Sequence, residues 1–94
     1  MNEALAPDIV PRLARGVRMH ADRQRGATML LAPERALKLD PVAAAIVSEI
    51  NGERSFYEIV DRLAATFDAP RDRIEQDVRD LLADMARRGL VELP

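Results

Sequence analysis

The residue types that carry covalent or metal chemistry are sparse in this chain of 94 residues, which has one histidine and no cysteine. His20 sits between Arg18 and Asp22 in a run whose alternate positions, Val17, Met19 and Ala21, are apolar. A strand with that alternation turns His20 to solvent, away from any catalytic partner. Without cysteine the chain supplies no thiolate ligand, iron–sulfur cluster or disulfide, and no Ser/His/Asp or Cys/His set can be assembled. Asp77, Asp80 and Asp84 recur at helical spacing, the pattern of a solvated helix face. Proton transfer between carboxyls would need a pocket that so small a core can hardly provide. The glycines at 16, 26, 52 and 89 fall at boundaries between periodic segments and form no phosphate loop. The expectation is a protein that is not an enzyme, with no catalytic residue, metal or cofactor.

What remains is noncovalent recognition. Met19, Met29 and Met85, with Leu81 and Leu82, could line an adaptable apolar groove, because methionine is flexible and polarizable; plain core filling is the competing account of each one. The other candidate is backbone. Arg35-Ala36-Leu37-Lys38-Leu39 reads as a short strand with Leu37 and Leu39 on one face and Ala36 and Lys38 on the other. An edge strand of this kind can accept an extended peptide as a further strand, unless its charges, Arg35 and Lys38, only protect it. Charge is divided unevenly. Residues 1–39 hold seven basic against four acidic side chains and residues 40–94 seven against twelve, a balance of +3 against −5. The basic strand half would suit acidic residues of a ligand, steered by Arg35 and Lys38.

These candidates depend on the elements that hold them. The hydrophobic rhythm changes at Asp40-Pro41, from a period of two to one of three or four, so a small sheet is followed by a helical half. The first strand is expected over Gly16 to Asp22 and the second over Ala27 to Leu31, joined by a polar turn at Arg23-Gln24-Arg25-Gly26. Pro33 ends the second strand, and the third is Arg35 to Leu39. Asp40 is a natural N-cap with Pro41 at N1, and the first helix runs to about Ile50. Its Val42, Ala43, Ile46, Val47 and Ile50 cover most of its circumference, which points to a buried central helix. Asn51-Gly52 stops it, and Ser55-Phe56-Tyr57-Glu58 is a capping box opening a helix with a stripe of Phe56, Ile59, Val60, Leu63, Ala64 and Phe67. Asp68-Ala69-Pro70 breaks that helix, with Pro70 near N1 of a third helix over Arg71 to Arg88, which Gly89 stops. On the third helix Ile74 and Leu81 are expected in the core, and Val78, Leu82 and Met85 along the wall of a groove facing the third strand.

The expected fold class is α+β: a winged-helix-like, three-stranded antiparallel sheet followed by three helices. Residues 1–10, with Pro7 and few periodic features, read as a flexible lead-in to a single domain over 11–94, and Leu90 to Leu93 as an apolar tail packing back on the body. A chain of this size buries about two-thirds of its unfolded surface, and only three aromatic residues contribute. No apolar run approaches a membrane span and no leader resembles a signal peptide, so the default location is cytoplasmic, without membrane contact. The helical half also has a helix-turn-helix outline, which leaves a winged-helix DNA-binding regulator as the alternative. Against it, the third helix mixes Arg71, Arg73 and Arg79 with five acidic residues, a poor field for phosphates.

Several segments together resemble the PqqD family of pyrroloquinoline quinone biosynthesis. They are Pro11 through Val17, Leu30-Leu31-Ala32-Pro33-Glu34-Arg35, Leu37 through Asp40, Asn51-Gly52-Glu53-Arg54-Ser55, Glu58-Ile59-Val60 and Asp84 through Leu90. The resemblance implies a RiPP recognition element of three strands and three helices acting as a peptide chaperone. It would bind the ribosomal precursor peptide PqqA at the third strand beside the third helix. It would present that peptide to the radical S-adenosylmethionine enzyme PqqE, which joins a Glu and a Tyr by a carbon–carbon bond. Carried to this sequence, the peptide-binding residues are Arg35, Ala36, Leu37, Lys38 and Leu39 of the strand, with Val78, Leu82 and Met85 assigned by periodicity. No nucleic acid is implied, and the expected state is a monomer; a dimer swapped at the Ala32-Pro33-Glu34 hinge stays open.

Overall fold

The computed structural model describes residues 5–24 and 26–94. In chain order they form β1 (Arg12–Leu13), β2 (Arg18–Asp22), β3 (Ala27–Ala32), β4 (Arg35–Leu39), α1 (Pro41–Ser48), α2 (Phe56–Thr66), α3 (Arg71–Arg87) and β5 (Val91–Glu92). The main sheet is antiparallel in the order β2-β3-β4, and β1 pairs with β5 in a separate two-stranded ribbon. The third strand of the sheet, β4, has the bounds expected from sequence. The helices cover the sheet face that carries Leu30 and Leu39, both buried. Registered opposite Leu30 is Leu37, and opposite Thr28 is Leu39, so β4 turns Arg35, Leu37 and Leu39 inward and Ala36 and Lys38 outward.

Local chemistry sets the boundaries. Gly16 has φ +81° and its missing Cβ would lie 3.2 Å from the Pro33 ring, so β2 begins two residues later than the alternation suggests. Pro33 and Glu34 make a two-residue connection between β3 and β4, with Glu34 at φ 61°, a conformation uncommon for a residue with a side chain. The Asp40 carboxylate accepts the Ala43 N–H at 2.7 Å, the expected cap of α1. That helix ends at Ser48 rather than Ile50, because the Ile50 N–H turns tightly onto the Val47 carbonyl. It is buried on one side only: Ile46 and Val47 are in the core, whereas Val42 is 56% exposed. Phe67 likewise leaves the apolar stripe of α2, since the chain is already extended there and the ring is 47% exposed. Pro70 is the N-cap of α3 rather than N1.

The lead-in is not loose where it is described. Phe56 donates to the Ile9 carbonyl at 2.7 Å and Tyr57 to that of Pro7 at 3.1 Å, while the Ser55 hydroxyl accepts from Glu58 and the Glu58 carboxylate from Ser55. Every N–H group at the start of α2 is thereby paired, two of them by the lead-in, and Pro11 is fully buried. Residues 1–4 of the lead-in, and Arg25 of the expected hairpin turn, lie outside the described residues. The apolar tail is β5, with Leu90 and Val91 buried as expected.

Candidate peptide-binding site

The site is an open strand edge facing a helix across a groove. Among the described residues β4 has no partner on its outer side. A two-residue connection closes on a hydrogen-bonded pair, here Ala32 and Arg35, and such pairs alternate along an antiparallel ladder. Arg35, Leu37 and Leu39 therefore spend their backbone groups on β3, and the N–H and C=O of Ala36 and Lys38 point to the open edge. The opposite edge, β2, exposes Arg18 through Ala21.

The wall beside β4 is α3. Its C-terminus is closed by the Leu90 N–H bonding to the Met85 carbonyl and the Gly89 N–H to that of Ala86, with Gly89 at φ +74°. The Arg88 carbonyl is left over, and Arg35 donates to it at 3.3 Å, which ties one end of β4 to α3 and places a cation at the negative end of the helix. The groove itself lies between α1 and α3 and begins at Asp40, just past the last residue of β4. It is bounded by Asp40, Val42, Ala43 and Ile46 on one side and by Asp77, Asp80, Leu81 and Asp84 on the other, with a volume of about 450 Å³. Asp84 pairs with Arg87 and Arg88, and Asp80 accepts from Gln76.

The structure sorts the sequence candidates differently from their periodicity. Arg35 to Leu39 do form the edge, but Arg35 faces the end of α3 and Lys38 the opposite face of the sheet, so the two cations do not act as a pair. Val78 and Leu82 are completely buried and Met85 nearly so, while Leu81 is only partly buried and lines the groove. The expected division is thus reversed for these four, while Ile74 is in the core as expected. Ile74, Val78, Leu82 and Met85 follow one another at steps of four, four and three, which makes them the buried stripe; Leu81 lies about 55° from the centre of that stripe, on its margin toward Asp77 and Asp84. Asp77, Asp80, Leu81 and Asp84 recur at steps of three, one and three and form a second face, of which the sequence pattern suggests only three solvated carboxylates and a core leucine. Met19, Met29 and Met85 do not line a common groove: Met85 is in the core, and Met19 and Met29 lie on opposite faces of the sheet.

A sequence profile for coenzyme PQQ synthesis protein D (PqqD) matches residues 27–91, the sheet from β3 onward and all three helices. The chain belongs to the PqqD family. It is 46% identical over 84 residues to the PqqA binding protein of Rhizobium meliloti, covering 89% of this chain and 86% of that protein. Its fold is similar to the solution structure of the PqqD portion of Methylobacterium extorquens PqqCD, a stand-alone RiPP recognition element, with TM-score 0.79, 38% identity and 95% of each chain covered. It is also similar to TbiB1 in complex with the TbiA(β) leader peptide, with TM-score 0.73 and 26% identity over 86% of this chain and 94% of that one. The expected α+β recognition-element fold is the observed one.

Proposed function

We propose that this chain is a peptide chaperone of pyrroloquinoline quinone biosynthesis that binds the precursor peptide PqqA as an added strand on β4 and presents it to the radical S-adenosylmethionine enzyme PqqE. The observation that carries the reading is the unpaired edge of Ala36 and Lys38 opposite the open face of α3. The named relatives are PqqA binding proteins, and TbiB1 holds a leader peptide on the same fold. The protein works by holding, not by catalysis, in the cytoplasm. Among the described residues no helix is long and apolar enough to cross a membrane.

Magnitudes show what the edge can do alone. Ordering five peptide residues costs about 1–2 kcal/mol each. The four outward backbone groups of Ala36 and Lys38 return about 0.5–1.5 kcal/mol apiece. The shortfall is a few kcal/mol, which the burial of one or two apolar side chains, ~1.5–3 kcal/mol each, offsets. Strand addition therefore supplies register and direction, and side-chain anchors supply affinity. A peptide held at one end stays free at the other to enter an enzyme at high effective concentration.

The alternation on β4 gives a sharp test. Ala36→Pro removes an N–H that faces the open edge, which an edge strand tolerates. Leu37→Pro removes one that bonds β3. Ala36→Pro is expected to stay folded and lose PqqA binding at least tenfold, whereas Leu37→Pro loses stability. Chemical denaturation and calorimetric titration on both variants read the two effects. A folded Ala36→Pro with native affinity would exclude strand addition here.

A further inference from the structure

Beyond the end of β4 lies a second cavity, walled by Val42, Ala45, Leu63, Phe67, Ile74 and Val78. Its volume is about 130 Å³ and its walls are almost wholly apolar, with Asp77 alone bringing a charge to the rim. An apolar cavity of ~150 Å³ accepts a benzene ring, so this one has room for a branched aliphatic or a small aromatic side chain. Two of the four large apolar side chains exposed among the described residues, Val42 and Phe67, stand at its mouth. It is continuous with the groove along α3, with which it shares Val42, Ile46 and Asp77.

We infer that this cavity takes a bulky apolar side chain of the same peptide that pairs with β4, from a stretch that also carries positive charge. The inference rests on the strand-addition reading and extends it. Distance sets the position of the anchor. The five residues of β4 span roughly 17 Å, at ~3.3 Å each, while the seventeen residues of α3 span roughly 26 Å, at 1.5 Å each. The cavity touches that helix at Ile74 and Val78, roughly 15–21 Å from Arg88, which Arg35 holds, so the anchor lies at the Leu39 end of the strand or within about one extended residue of it. Charge sets the flanking chemistry. Between strand and cavity the peptide crosses Asp40, Asp77, Asp80 and Asp84, which line both banks of the groove. A lysine or arginine beside the anchor meets carboxylates there, and an acidic residue is repelled.

Ala45 lines the cavity from α1, and Ala45→Phe fills it from within. Binding of synthetic PqqA by this variant is expected to weaken tenfold or more with the melting temperature unchanged or raised. Replacing the apolar residues of PqqA by alanine one at a time should then reveal one whose loss weakens binding to the native chain and leaves binding to Ala45→Phe unaltered. If Ala45→Phe fails to fold, Val42→Asp, on a side chain more than half exposed, reads the same effect at the mouth. Amide shifts on the native chain separate this inference from the one it rests on. Shifts at Ala36 and Lys38 together with Val42, Ala45 and Phe67 support both. Shifts at Ala36 and Lys38 alone, or native affinity in a folded cavity variant, overturn the anchor and leave strand addition standing. No shift at Ala36 or Lys38 overturns strand addition itself.

Discussion

Leu81 and Leu82 are chemically identical neighbours with opposite fates. Leu82 has no accessible surface and Leu81 looks into the groove. Truncating a fully enclosed leucine costs its transfer free energy plus that of the cavity left behind, ~2–5 kcal/mol. Leu82→Ala is therefore expected to lower the unfolding free energy by that amount, a large share of a small domain's margin. Leu81→Ala should cost under half as much and weaken PqqA binding several-fold, both read by paired denaturation and titration. The sequence contains the clue to this difference but not its resolution. Several apolar residues in a helix always define more than one possible stripe, and what chooses among them is the number of sides on which the helix is covered. Here α3 is covered by α2 and by the ribbon of β5, and the side that carries Leu81 opens on the groove.

At the scale of elements, the sequence was legible wherever one residue type forces one backbone state. Pro33, the Asp40-Pro41 cap and the Ser55 capping box each specify their boundary by local bonding, and β4 has its expected limits. The lead-in was not legible, because its order comes from two backbone carbonyls, Pro7 and Ile9, and carbonyls leave no mark in a sequence. Their bonds imply that the start of α2 is held from two sides. Ser55→Ala should cost about 0.5–2 kcal/mol, in the range of a lost helix cap. Removing residues 1–9 should cost at least as much, since it strips partners from two N–H groups at once. Thermal unfolding of the two variants measures both, and amide exchange at Phe56 and Tyr57 should quicken only in the truncation.

For the whole molecule, the sheet half and the helical half carry opposite net charge, and the groove lies at their boundary. The overall balance suggested an acidic ligand drawn to the strands, yet the carboxylates of α3 and Asp40 govern the groove itself; a sum over half a chain does not report the field in a cleft. Occupation of that cleft must stabilise the fold. Peptide at a hundred times its dissociation constant adds about 2.7 kcal/mol. With ~4–8 °C per kcal/mol for a domain of this size, PqqA should raise the melting temperature by roughly 10–20 °C, and a DNA duplex by none. Calorimetric scans with each ligand decide between the two. The pairing of β1 with β5 has a consequence for how such a domain is joined to others. Arg12 lies opposite Glu92 and Leu13 opposite Val91, so the C-terminal end of the folded unit leaves beside β1, while the lead-in carries the other end away to the start of α2. Val91 is only three residues from Arg88, which Arg35 holds, so the corner where β5 ends borders the Arg35 end of β4 and stands away from the cavity. A domain joined after β5 would hang from that corner, whereas one joined before the lead-in would hang beside the start of α2, so the two ends are separate handles on the same fold.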